Sequence, residues 1–209
     1  MGEKTTGPAG ALLRPGFEVA DYLRAADLAA EQAWRRQRLR RHNRHLHGWG
    51  IVCGLYVVPA VDATRPWSVI VCPGYALGPY GDEIIVGCAA RVDLREWVWS
   101  RPAEGASIAY VAIRYAEATG GTRAYRGADC GCDDRKTRHS SILEQYRIEV
   151  LWSIPDPGRT PQVDLCHDMP PCAPCPPTPY VLLAGVRLPA DEGTVLARPD
   201  IDLSVRRVV

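Results

Sequence analysis

The sequence lacks an apolar run that approaches the roughly 20 residues needed to cross a bilayer. Its first twenty residues also lack the charged head and continuous apolar stretch of a secretory signal. The net charge of +1 gives the whole molecule little attraction for nucleic acid or anionic lipid. We therefore expect a protein made and kept in the cytoplasm, with no membrane partner and with any nucleic-acid contact confined to a local patch.

Sequence motifs for catalysis are also missing. There is no P-loop, dinucleotide-binding fingerprint, nucleophile elbow or His-Glu-x-x-His motif. The hydrophobic fraction of 46% and the charged fraction of 23% are those of ordinary globular proteins. With 209 residues the chain can bury a substantial core. These features favour a globular protein that is not an enzyme.

A long N-terminal helix is the clearest predicted element. From Asp21 to His47 the chain has no Gly or Pro and is dense in Ala, Leu, Arg, Glu and Gln, and Gly48 follows. This pattern predicts a helix that ends at the glycine. Residues 1–16, which are rich in Gly, Thr and Pro, are expected to form a flexible arm. We therefore divide the chain into this arm, a helical segment at 17–49 and a β-rich domain at 50–209.

The predicted helix carries two apolar stripes, which indicate contacts on two sides. One side would pack on the protein's own sheet and the other on a neighbouring subunit of a homo-oligomer. The first stripe comprises Leu23, Ala26, Ala30 and Trp34, and the second Leu28, Leu39 and Leu46.

Beyond Gly50, short runs of β-type residues alternate with turn residues, which predicts strands. Residues 75–87 have the pattern of a hairpin with its turn at Pro79 to Asp82. The fold class is therefore α+β, a long N-terminal helix followed by a mainly antiparallel β domain with a Cys/Pro-rich metal-binding loop. The predicted strands are Val52–Pro59, Trp67–Pro73, Glu83–Cys88, Ser107–Ala116, Ile142–Ile154 and Tyr180–Leu188.

Residues 155–179 form a Cys/Pro-rich insertion that contains nine prolines. Proline at this density excludes both a helix and a central strand, so the insertion should leave the sheet. Of the eight cysteines, Cys53, Cys72 and Cys88 lie instead in apolar runs, where a thiol is expected to be a small buried hydrophobe.

The other cysteines lie in polar or Pro-rich segments and predict a structural Zn²⁺ site. Two short-spaced pairs joined by a long connection can offer zinc four thiolates. Zinc would also stabilise loops that bury little apolar surface. Three alternatives remain. A reducing cytosol disfavours disulfides, and the surrounding prolines disfavour a redox pair. The lack of a general base disfavours catalytic zinc. The preferred ligands are Cys130, Cys132, Cys172 and Cys175, with Cys166 and His167 as substitutes.

The second half of the predicted helix is rich in arginine and histidine. It could contact phosphates, but the arginines are spread around the helix, and a solvated or subunit-pairing face fits them better. His42 and His45, three residues apart, could bind metal, although hydrogen-bonded structural roles are favoured. The arginines are Arg35, Arg36, Arg38, Arg40, Arg41 and Arg44.

Two segments resemble structural components of phage-tail-like contractile injection systems, the tail or baseplate-associated proteins of phage-derived particles. They are RHNRHLHGWGIVCGL at 41–55, and PGYAL at 73–77 with PYGDEI at 79–84. The likeness covers residues 17–88 well and the Cys/Pro-rich segment loosely. This chain has Gly78 where the family's turn often has an acidic residue.

The resemblance implies a non-enzymatic structural role in a tail-like particle, with other particle subunits as partners and no catalytic residue to carry over. It also implies a protein of the cytoplasm that assembles into a particle, which lysis could release. Two other functions stay open from the residues alone, a nucleic-acid-binding adaptor that uses Arg35 to Arg44 and a zinc-dependent hydrolase.

Overall fold

The protein is an α+β fold with one α-helix and mostly antiparallel strands in the part of the chain that the structure describes. In this computed structural model the described strands form three antiparallel sheets, and a parallel bridge joins Ile51 to Val208 near the C-terminus. The predicted fold class is confirmed in these respects. The described residues are 12–102, 107–126, 135–155, 175–191 and 193–209.

Helix α1 spans Ala25–His42 and is followed by a π-helical turn at Asn43–His47. The helix begins four residues later than predicted, because Arg24 still has an extended backbone. The backbone N–H of Arg24 donates to Oδ2 of Asp27 over 2.9 Å, which fixes the first turn. Gly48 ends the helical segment with φ of +80°, a conformation that glycine adopts easily.

In the described ranges ten strands follow, and each sheet joins strands that are not all consecutive. The sheets have the orders β1-β4-β5, β2-β3-β6 and β10-β9-β7-β8. The predicted hairpin at 75–87 is β4 with β5. The strands are β1 Gly50–Gly54, β2 Val57–Pro59, β3 Ser68–Val71, β4 Gly74–Leu77, β5 Glu83–Val86, β6 Ala90–Asp93, β7 Ile108–Arg126, β8 Arg135–Leu151, β9 Val181–Arg187 and β10 Ile201–Asp202.

The longest elements are β7 and β8, which pair in register from Tyr110 with Leu151 to Arg126 with Arg135. The sequence predicted strands at Ser107–Ala116 and Ile142–Ile154, and so it missed residues 117–126 of β7 and 135–141 of β8. By contrast, the predicted strand Val52–Pro59 is two strands, because Leu55 takes φ of +52° and turns the chain between them. A 3₁₀-helix at Leu94–Ser100 follows β6.

One continuous core lies between the sheets and draws on all three of them. Its largest fully buried side chains are aliphatic and come mostly from the inward positions of the strands, with Leu55, Leu94 and Leu196 added from the segments between them. Helix α1 contributes none of them. The largest are Ile51, Leu55, Val69, Val71, Ile84, Val86, Leu94, Val111, Ile113, Val181, Leu183 and Leu196.

The three strand cysteines are not buried, so that prediction was wrong. Cys53 and Cys88 are exposed and Cys72 is half-buried. In β1 the register shifts between Ile51 and Cys53, and this bulge places Cys53 on the outside although Ile51 is inside. Cys88 lies two residues beyond the end of β5, where the strand's alternation no longer holds it inward.

Candidate functional site

Helix α1 is fixed to the β domain through its C-terminal half, at a set of contacts that we call the helix junction. Arg40 forms an ion pair with Asp82, which lies in the turn between β4 and β5. Arg36 donates from Nη1 to Oε1 of Glu117 on β7 over 3.0 Å. Asn43 is buried and donates from Nδ2 to the backbone oxygen of Gly81 over 3.0 Å. The junction consists of Arg36, Arg40, Asn43, Gly81, Asp82, Tyr115 and Glu117.

The aromatic ring of Tyr115 packs against Arg40 in the helix junction. The guanidinium carbon of Arg40 lies 5.7 Å from the centre of its ring, a cation–π distance. Its hydroxyl donates to Oε1 of Glu117 over 2.9 Å. Burial, and then the hydrogen bond to Glu117, raise the pKa of Tyr115 well above its ordinary value. The hydroxyl is therefore held as a donor while two carboxylates, Glu117 and Glu144, surround it.

Outside the junction, the helix covers little of the protein. No residue of α1 is buried, and the side chains of Leu28, Leu39 and Leu46 are 53%, 50% and 70% exposed. An open groove of about 780 Å³ runs between the helix and the β7–β8 hairpin, with Leu39 and Ile142 on its two sides. Among the described residues, the predicted packing of an apolar stripe on the protein's own sheet is therefore not found. The leucines are largely open to solvent, and Trp34 of the first stripe is half-buried.

The arginines of the helix already have partners within the chain. Carboxylates pair with Arg35, Arg36 and Arg40, and the guanidinium carbon of Arg38 lies 5.5 Å from the ring centre of Trp34. Arg44 contacts Cys175 and His45. Binding a phosphate would have to replace these contacts, which reduces its net gain. This arrangement does not favour the nucleic-acid interface that the sequence left open.

Of the predicted metal ligands, only Cys175 lies among the described residues. It is exposed, and its Sγ accepts from Nη1 of Arg44 over 2.5 Å. The described residues bring together no group of three or more His, Cys, Asp or Glu side chains that could hold a metal ion. The remaining predicted ligands, Cys130, Cys132, Cys172 and the substitutes Cys166 and His167, lie outside these residues.

The histidines at the helix end lie in hydrogen-bonding contacts, the role that the sequence favoured for His42 and His45. His42 faces His47, with 3.3 Å between their Nε2 atoms and 5.2 Å between the ring centres. His45 instead contacts Arg44, whose Nη2 lies 3.1 Å from its Nε2. Because arginine can only donate, His45 accepts at Nε2. Sequence periodicity could not find the first pair, since it depends on the π-helical turn between the two residues.

A second, apolar groove of about 400 Å³ lies beside β9, where the described chain stops at Pro155 and resumes at Cys175. Trp49 and Tyr180 line it, and the guanidinium carbon of Arg207 lies 4.4 Å from the ring centre of Trp49. The described ends of the Cys/Pro-rich insertion, Pro155 and Pro176, therefore both line this groove.

No protein-family model matches the chain, and no curated protein matches it. Among solved structures, the fold is similar to a chain of the type VI secretion system TssK-TssF-TssG baseplate subcomplex, with 11% identity and a TM-score of 0.43 over 86% of this chain. It is also similar to the crystal structure of TssK, with 10% identity and a TM-score of 0.46 over 92% of this chain. This chain spans 58% and 41% of the lengths of those two chains.

No helix in the described ranges combines the length and the apolar character that a bilayer span requires. What the fold defines is an α+β protein with one peripheral helix, docked at one end, beside a long antiparallel hairpin.

Proposed function

We propose that this protein is a non-enzymatic structural component of a phage-tail-like contractile injection system particle, in a baseplate, fibre or tail-associated position. The observation that carries the proposal is the exposed apolar surface of α1. An isolated helix of this length is marginal in water, and most helical stability in proteins comes from packing an apolar face. Within the described part of the chain no residue of α1 is buried, so little of its apolar surface is packed there.

The segments that resemble contractile injection proteins also build the helix junction. Residues 41–55 contain Asn43, and residues 79–84 contain Gly81 and Asp82. These residues hold the helix against the β4–β5 turn through the Asn43 hydrogen bond and the Arg40–Asp82 ion pair. The likeness therefore falls on the residues that set the position of an exposed, partner-facing helix, and this agreement supports an assembly role.

The partners in this proposal are other subunits of the particle, including further copies of the chain as a homo-oligomer. Synthesis in the cytoplasm, incorporation into a particle and its release by lysis belong to the same proposal. The direct test is co-purification with sheath, tube or baseplate proteins from cells that carry the whole gene cluster. A stable monomer that is absent from every purified particle would contradict it.

Structural zinc is the second part of the proposal, with Cys130, Cys132, Cys172 and Cys175 as ligands and Cys166 and His167 as substitutes. Cys175 contacts Arg44, which lies one helical turn after Arg40. Arg40 contacts Tyr115 on β7, so Cys175 lies near the inner end of the β7–β8 hairpin.

Metal analysis of the purified chain tests this part. We expect about one zinc per chain, lost in C130S/C132S and in C172S/C175S and retained in C53S, an exposed thiol outside the set. Sedimentation with and without a chelator distinguishes a site within one chain from a site between copies. In a Co²⁺-substituted sample, four thiolates with no bound water would exclude the zinc hydrolase, whereas an open position would support it.

A further inference from the structure

His42 and His47 are brought together by the irregular end of the helix. In a regular α-helix, residues five apart lie about 140° apart around the axis and about 7.5 Å apart along it, so their side chains do not meet. Here Asn43–His47 form a π-helical turn, in which the N–H of Gly48 bonds to the oxygen of Asn43 over 3.0 Å. The extra residue in this turn places both imidazoles on one face.

The turn is held by the fold rather than by the histidines themselves. Asn43, its first residue, is buried and bonded to the backbone of Gly81. The backbone of Gly81 packs directly against the carbonyl oxygen of Arg40, so the end of α1 is fixed from outside. Both histidines are exposed at the surface of this fixed turn. Their rings are therefore arranged without the cost of ordering a flexible loop.

The spacing of the two nitrogens is that of two ligands on one metal ion. At Zn–N distances of about 2.0–2.1 Å and a tetrahedral angle, two imidazole nitrogens lie about 3.3 Å apart. The Nε2 atoms of His42 and His47 are 3.3 Å apart. Square-planar ions need a closer pair, roughly 2.9 Å, so the geometry fits zinc better than Cu²⁺ or Ni²⁺. Without a metal, the same contact is one hydrogen bond between neutral rings.

We propose that His42 and His47 form an open two-histidine site for Zn²⁺, separate from the predicted cysteine site. The neighbouring His45 is no ligand, because its Nε2 is directed at Arg44. No third His, Cys, Asp or Glu joins the pair among the described residues, so water or a ligand from another molecule completes the coordination. On an exposed helix end, such a site can accept a side chain or carboxylate of a bound partner.

The test is a Zn²⁺ titration of the full-length chain, monitored by NMR of the histidine ring protons. The chain is used as purified, with any tightly bound zinc left in place. Single variants of each histidine assign the signals. We expect the signals of His42 and His47 to shift together and to saturate, while those of His45 do not move. H42Q and H47Q should each weaken Zn²⁺ binding about a hundredfold. In either variant, an ion bound to the remaining imidazole no longer has a second imidazole held close to it. H45Q is the matched control and should keep the wild-type affinity.

Three outcomes would overturn the proposal. They are equal shifts at His45, a failure to saturate, and an unchanged affinity in H47Q. The cysteine site does not confound the result, because the readout is taken at the histidine rings. Circular dichroism of each variant confirms that these exposed substitutions leave the fold intact. Loss of the contractile-particle function would not affect the outcome, since the titration uses the isolated chain and Zn²⁺ alone.

Discussion

Gly81 packs its backbone against the carbonyl oxygen of Arg40, where a Cβ at position 81 would overlap that oxygen. This contact lies beside the ion pair between Arg40 and Asp82 of the same turn. Gly81 has φ of +86°, which is costly for any residue with a side chain. The position of the helix thus depends on a residue that presents no side chain.

Replacing Gly81 with alanine should therefore destabilise the protein. We expect G81A to lower the free energy of unfolding by about 2 kcal/mol or more, since both the strained φ and the overlap with backbone must be relieved. Urea unfolding measures this. G87A is the matched control, because a Cβ there meets nothing within 4 Å. It should change the free energy by less than about 0.5 kcal/mol, and equal losses in the two variants would contradict the packing argument.

Asn43→Ala tests the buried hydrogen bond to the same turn. Removing the amide leaves the backbone oxygen of Gly81 without this donor in a buried setting, which should cost about 1–3 kcal/mol. Q37A, at an exposed helix position, should have little effect. Because Asn43 and Gly81 share one contact, the double variant N43A/G81A should lose less free energy of unfolding than the sum of the two single variants. Full additivity in this double-mutant cycle would show that the two residues act independently.

The sequence was enough to predict the α+β class, the helix that ends at Gly48 and the β4–β5 hairpin. These features follow from local signals, namely helix formers before a glycine and turn residues between alternating apolar positions. The positions of Cys53 and Leu55 were not predictable in this way. Each depends on a departure from regular geometry, a bulge in β1 and a positive φ, and neither leaves a periodic signal.

The junction itself was only partly predictable. Asn43 lies within the segment that carries the family resemblance, but its bond to the turn at Gly81, 38 residues later, has no local sequence signal. The pairing of His42 with His47 was missed because a periodicity of 3.6 residues places His45, not His47, closest to His42. A π-helical turn changes that spacing locally, and tertiary contacts rather than local sequence stabilise it.

Stability should also fall at high pH through Tyr115. Its pKa is raised in the folded protein, by burial first and then by the bond to Glu117, so the folded state retains a proton that the unfolded state loses. Stability from this group is complete below pH 10 and declines above it, by at most about 1.4 kcal/mol per pH unit. The loss between pH 9 and 11 should be smaller in Y115F. Tyr22→Phe, at a side chain that is 95% exposed, is the control, and identical pH profiles for wild type and Y115F would refute the assignment.

The exposed leucines of α1 provide the sharpest test of an assembly role. Leu28 and Leu39 are half-exposed, so each serine should lower the free energy of unfolding by about 1 kcal/mol, and L28S/L39S by about 2 kcal/mol. If a partner subunit covers both, each substitution should cost about 1 kcal/mol of association, or roughly a fivefold weaker complex. Co-purification with particle proteins and sedimentation of the isolated chain measure these losses separately.

The matched control for the leucines is V61S, which makes the same kind of change at a side chain that is 86% exposed in the β2–β3 connection. It should assemble like the wild type. If L28S/L39S retained wild-type incorporation, the helix surface would not be an interface. If only self-association weakened, the partner on α1 would be a second copy of the chain. Loss of particle incorporation alone would instead indicate that a different subunit covers the helix.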